Sequence, residues 1–192
     1  DAVRWYFYAA GSPWLPTRFS GDLVSEMQRK FMGTLWNTYA FYVLYANIDN
    51  FNPTEHTLDV DSLSVMDKWI LSKLNGVIKE VDDNLFNYKI VEATRAISEF
   101  TDELSNWYVR RSRERFWASE LSQDKINAYM TLYTVLVEFS KVCAPFIPFM
   151  TEQIYQNLVL SVDKDAKESV HICDYPAVRE EFSFPEIEKD MD

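Results

Sequence analysis

Four arginines fall within six positions of an otherwise acidic chain. They are Arg110, Arg111, Arg113 and Arg115, in the run LSNWYVRRSRERFW at 104–117. A guanidinium presents a planar fork of donors that matches a phosphate or a carboxylate. Beside them stand Trp107 and Tyr108, rings that can stack or stiffen such a site. On an ideal helix, with Arg110 at 0°, Trp107 falls at about 60°, Leu104 at about 120° and Tyr108 at about 160°. Arg111 falls at about 100°, Arg115 at about 140° and Arg113 at about 300°. The apolar stripe thus runs into Arg111 and Arg115, with Arg110 and Arg113 to one side. Two readings fit. In one, the helix outlasts the core and these arginines pair with some of the 30 acidic residues. In the other, they form a compact phosphate-binding patch, with Arg110, Arg111, Arg113, Arg115 and Trp107 as its residues.

Other groupings offer less chemistry. Asp82–Asp83 and Asp59-x-Asp61 are paired carboxylates, a pattern shared by general acid/base sites, helix caps and solvated loops. The metal-ligand types are Cys143, Cys173, His56 and His171, of which His171 and Cys173 are neighbours. Closed zinc sites use two such close pairs, so no metal site is expected. No glycine-rich phosphate loop and no recognisable nucleophile neighbourhood occurs.

The elements that must position these residues read as helices. Asp1 to about Ala10 forms a first one, broken by Gly11, Ser12 and Pro13. A second runs from Asp22 to about Asn50 on the stripe Val24, Met27, Phe31, Leu35, Thr38, Tyr42, Tyr45. A third begins near Ser64, whose spacing to Asp67 suits a capping box. Its stripe is Met66, Ile70, Leu74, Val77 and Val81, with a bend or end at Asp82–Asn84. The fourth, about Tyr88–Trp117, carries the arginines. Ser122 caps a fifth, which Pro145 stops, and Pro148 suits the first turn of a sixth. After Ser161 the pattern fades. Ser169–Cys173 reads as extended, and Arg179–Asp192 as an acidic linker or frayed tail. The expectation is an all-α antiparallel bundle of five or six helices: a connecting segment over 1–21, the bundle over 22–160 and an extension over 161–192.

Composition bounds the class. Of 192 residues, 47% are hydrophobic and 16% aromatic, with only 4 glycines, which favours long helices with bulky packing. No apolar run approaches the ~20 residues of a membrane span, and no signal peptide opens the chain. Two cysteines fit a reduced, cytoplasmic setting. The first residue is Asp, which suggests an excised piece. The net charge of −11 opposes nucleic-acid binding unless basic residues gather on one surface. From the residues alone, a helical module binding RNA and one binding protein both stand.

At this point a resemblance enters. The run at 104–117 resembles the signature of class Ia isoleucyl-tRNA synthetases, in the helical domain after the catalytic core. DAVRWY with Ser12-Pro13-Trp14 resembles the segment after that family's KMSKS loop. LWNTYAFY at 35–42, DKWILSKLN at 67–75, APFIPFMTE at 144–152 and SVH at 169–171 with DYP at 174–176 resemble its later elements. Valyl- and leucyl-tRNA synthetases share the plan. The resemblance implies the anticodon-binding domain of an isoleucine–tRNA ligase, binding tRNA(Ile) beside the catalytic and C-terminal domains of one parent chain. It implies neither DNA nor membrane as a partner. ATP and Mg2+ belong to the parent's catalytic domain, with no cofactor in this piece. HIGH and KMSKS sequences are absent, so the piece alone is expected to be inactive.

Overall fold

The fold was analysed in a computed structural model that describes residues 1–12 and 14–191. Pro13, read above as part of a helix break, and Asp192, the last residue of the acidic tail, lie outside the described residues. Seven helices and no strand occur among the described residues. They are α1 (Ala2–Ala9), α2 (21–49), α3 (Val65–Phe86), α4 (90–117), α5 (Gln123–Cys143), α6 (148–160) and α7 (Pro185–Met191). Each of α2, α4 and α6 contains a stretch of π-helix, at Gln28–Gly33, Glu103–Val109 and Gln156–Leu160. No helix is long and apolar enough to cross a membrane among the described residues.

The core is one continuous cluster built around α3, α4 and α5. Ile70, Leu71, Leu74 and Val81 of α3 meet Ala93, Ile97, Phe100 and Leu104 of α4. Leu132, Val135, Leu136 and Phe139 of α5 close the other side. Each such side chain, fully buried, contributes roughly 1.5–3 kcal/mol. On this cluster α2 packs against α5, and α1 lies across α2 and the start of α4, with Trp5 stacked on Phe31 at 3.9 Å.

Most boundaries follow from local chemistry. Ser64 accepts from the Asp67 N–H, and the Asp67 carboxylate accepts from the Ser64 N–H: the capping box that starts α3. Ser122 caps α5 through the Lys125 N–H, and Pro148 opens α6. The α2 helix ends at Asn50, whose φ of 52° terminates it in the left-handed region. One cap comes from far away: the Asp1 carboxylate accepts from the N–H groups of Phe149 and Met150 at the start of α6.

Three expectations change. The helix does not bend or end at Asp82–Asn84 but continues to Phe86, because Val81 and Leu85 keep packing on the core. Ser169–Cys173 is not extended: it forms the 3-10 turn Val170–Ile172, bound through Ser169 Oγ and the Val170 N–H to Glu152 of α6. Nor is the acidic end a frayed tail. Phe182 is buried, and residues 185–191 form the seventh helix against α3. Buried Asn75 holds the backbone of Arg179 at both its N–H and its C=O, and Ser72 bonds the Phe184 N–H and Glu188.

Candidate nucleic-acid interface

The arginine run sits at the C-terminal end of α4, and the π turns Glu103–Val109 decide where each side chain points. Before them, the buried residues Ala93, Ile97, Phe100 and Thr101 centre at about 125° on the ideal wheel. After them, Ser112 and Phe116 are buried, and the wheel centre has moved to about 220°. That is close to the ~100° of a single extra residue, which is what a π bulge inserts. The straight-wheel reading, with the stripe running into Arg111 and Arg115, therefore fails at the bulge. The stripe steps onto Ser112 and Phe116, and Arg111 swings outward.

This end of the helix is held firmly. Phe116 packs edge-on against Phe41 and Tyr129 at 5.1 and 5.0 Å. Trp117 donates its indole N–H to the Tyr45 hydroxyl at 2.7 Å. Arg110, Arg111 and Arg113 project from it exposed, and none makes an ion pair among the described residues. The guanidinium carbon of Arg111 lies over the Trp107 ring, 3.8 Å from its centroid. Trp107 is 38% exposed and leans on buried Trp69 at 6.3 Å. Lys73 lies 6.0 Å from the Trp69 ring and pairs with Glu103 at 2.8 Å. The result is a ladder across two helices: Lys73, Trp69, Trp107, Arg111. Trp69 and Lys73 were missed from the sequence. Their signal was there, since a tryptophan four residues before a basic residue occurs on both α3 and α4.

Arg115, also among the binding candidates, has different surroundings. Two of its nitrogens bind Asp67 at 2.8 and 2.7 Å. Its Nε donates to Asp124 at 2.9 Å, and a further bond reaches the Asp124 carbonyl at 3.0 Å. Asp67 is fully buried and also accepts from the Tyr108 hydroxyl and from Ser64 Oγ, each at 2.7 Å. Burial pushes the Asp67 carboxyl up, but the Arg115 hydrogen bonds and charge, with Tyr108 and Ser64, outweigh it and hold the group below its usual range. Burial and the charge of Asp67 push the Tyr108 hydroxyl well up, so it stays a donor. Arg115 is thus the counter-ion of an internal carboxylate. Its fork faces inward, leaving Arg110, Arg111 and Arg113 as the available cations.

Several other polar groups make contacts within the fold. Asp83 pairs with Lys79, and Asp59 caps a 3-10 turn through the Asp61 N–H. His171 Nε2 sits 3.2 Å from the Pro148 carbonyl and helps seat its segment on α6. Lys125, buried on α5, pairs with Asp49 at 2.6 Å and donates to the Ala118 carbonyl. What the arrangement offers is a rigid cationic end on an acidic body, with one guanidinium pre-set on an indole.

Comparison with known proteins places this geometry. Residues 67–192, which include every member of the ladder and the arginine run, match the family described as the anticodon-binding domain of tRNA ligase. The whole chain is 62% identical over 192 residues to an isoleucine–tRNA ligase of Clostridium novyi (strain NT), of which it covers 18%. It is 55% identical over 176 residues, 92% of the chain, to an isoleucine–tRNA ligase of Dehalococcoides mccartyi (strain CBDB1), covering 17% of that protein. An isoleucine–tRNA ligase of Cytophaga hutchinsonii is 45% identical over 192 residues, with 17% of it covered. The chain therefore spans less than a fifth of the length of these relatives.

Proposed function

The chain belongs to the anticodon-binding domain family of tRNA ligases, and from that premise we propose that it is the tRNA-docking helical domain of an isoleucine–tRNA ligase. The longer protein attaches isoleucine to tRNA(Ile) with ATP and Mg2+, in the cytoplasm, using catalytic parts outside this chain. The observation that carries the reading is the set of three unpaired, exposed arginines on the anchored end of α4, in a chain where Arg115 one turn on is fully paired. Arg110, Arg111 and Arg113 contact backbone phosphates. Trp107 acts through Arg111: with one face covered by the guanidinium, it stiffens that contact instead of offering the face to a base. Phosphate contacts fix position and carry little sequence information, so tRNA choice lies with other parts of the ligase.

The test is a titration of the chain with tRNA(Ile) and a noncognate tRNA across salt. Three phosphate contacts predict an affinity loss on the order of 40-fold between about 50 and 200 mM salt, similar for both RNAs. Absence of binding at the lower salt would show that the acidic field dominates and would overturn the docking role.

A further inference from the structure

Trp69 sits at the centre of the ladder that ends on Arg111. It is 2% exposed, and its indole N–H is buried with no acceptor among the described residues. An unpaired buried donor is costly, so leucine or phenylalanine would fill the core here at less cost. What tryptophan adds is the width of its ring. That ring reaches Trp107 of α4, with centroids 6.3 Å apart and planes at 47°, within the range of an aromatic contact. Trp107 in turn carries the guanidinium carbon of Arg111 at 3.8 Å.

The surroundings of the two rings are fixed. Lys73, one turn after Trp69, pairs with Glu103, one turn before Trp107, at 2.8 Å. This ion pair joins α3 to α4 beside the rings. The terminal segment holds α3 on both sequence sides of Trp69. Lys68 lies 5.8 Å over the Phe184 ring, and Ser72 accepts from the Phe184 N–H at 2.9 Å. Arg110 and Arg113 have no ring contact among the described residues. We infer that Trp69 is a positioning residue: it sets the pose of Trp107 from the core, and through Trp107 it presents Arg111 in a single orientation. Arg110 and Arg113 supply charge, whereas Arg111 supplies charge at a fixed place. A guanidinium preset in this way loses less side-chain freedom when a phosphate arrives. The pose needs no RNA; its effect on affinity rests on the arginine end being where tRNA docks.

A double-mutant cycle in the full-length ligase, read as tRNA affinity, tests the chain of contacts. Trp69→Leu should weaken binding about three-fold when Arg111 is present, the scale of an exposed cation–π contact, and should change nothing in the Arg111→Met background. An equal loss in both backgrounds overturns the inference, because a residue that only props the fold acts without regard to Arg111. So does no loss in either. The pose itself is tested without RNA on the 192-residue chain, by relaxation of the arginine Nε–H groups. Arg111 should approach the order parameter of about 0.85 typical of rigid backbone, with Arg110 and Arg113 below about 0.6. In Trp69→Leu, Arg111 should fall to join them; an Arg111 that stays ordered there overturns the inference. Arg111 as mobile as Arg113 in the unmodified chain overturns it too, even where Trp69→Leu fails to fold. Should Arg111→Met alone leave tRNA affinity unchanged, the docking role falls, and the relaxation measurements decide the positioning role by themselves.

Discussion

Arg111 and Arg115 lie one helical turn apart on α4 and have opposite surroundings. Arg111 rests on Trp107 with no carboxylate partner among the described residues, whereas Arg115 is locked to Asp67 and Asp124. Residue type and clustering are the same for both. What separates them is which side of the helix the π turns leave them on, and whether a carboxylate from another helix has been buried there to meet them. A cluster of arginines is therefore not a unit of function; each guanidinium must be assigned by counting where its donors go.

The sharpest way to break this contrast is at Arg115. Arg115→Met leaves the buried Asp67 without a counter-ion, and should lower stability by about 3–5 kcal/mol in urea unfolding. Pairing it with Asp67→Asn should recover much of that loss, because no uncompensated charge remains. The pH dependence should flatten as well. In the parent chain the Asp67 carboxyl sits below its ordinary range. Its stabilising contribution is complete above the unfolded value of about 3.9 and is lost as pH falls through the lower folded value. In Arg115→Met, burial is still opposed by the Tyr108 and Ser64 hydrogen bonds but no longer by the guanidinium, so the folded pKa of Asp67 rises and less stability is lost on acidification. Urea midpoints between pH 3 and 7 on the two proteins would show whether the slope flattens.

The converse prediction falls on the outward side. Charge reversal by Arg111→Glu with Arg113→Glu should weaken tRNA binding on the order of 10- to 100-fold at low salt and flatten its salt dependence. Stability should move by no more than about 0.5 kcal/mol. A protein that loses stability and keeps its affinity would reverse the assignment of the two faces. Smaller effects refine it. Ser64→Ala removes the cap and one of Asp67's donors, and should cost about 1 kcal/mol with tRNA affinity intact. Trp107→Leu frees Arg111 from its ring; a cation–π contact at an exposed site contributes about 0.5–1 kcal/mol, so affinity should fall only a few-fold.

Much of this molecule could be read from residue order. The stripe of α3, the Ser64 and Ser122 caps and Pro148 at the start of α6 are local signals, and the structure has each of them. What escaped was long-range. The spacing of Ser64 and Asp67 announces a cap, but nothing near Asp67 says that Arg115, 48 residues on, will sit over it. A wheel of constant pitch cannot foresee a π bulge, so the arginines were located without being sorted. The docked end was missed because residues 161–184 lack helical periodicity, and their anchors, Asn75, Ser72 and Glu152, lie on other elements.

The π turns of α4 also change what a small gap in this region would mean. In a helix of uniform pitch, losing one residue turns everything after it by about 100°. Between 103 and 109 the loss would instead remove the one extra residue of the π turns: regular pitch would return with Ser112 and Phe116 still on the packing face and Arg111 still off it. The bulge is therefore a one-residue slack in chain length, the one place in α4 where a residue can be lost without redirecting the arginines.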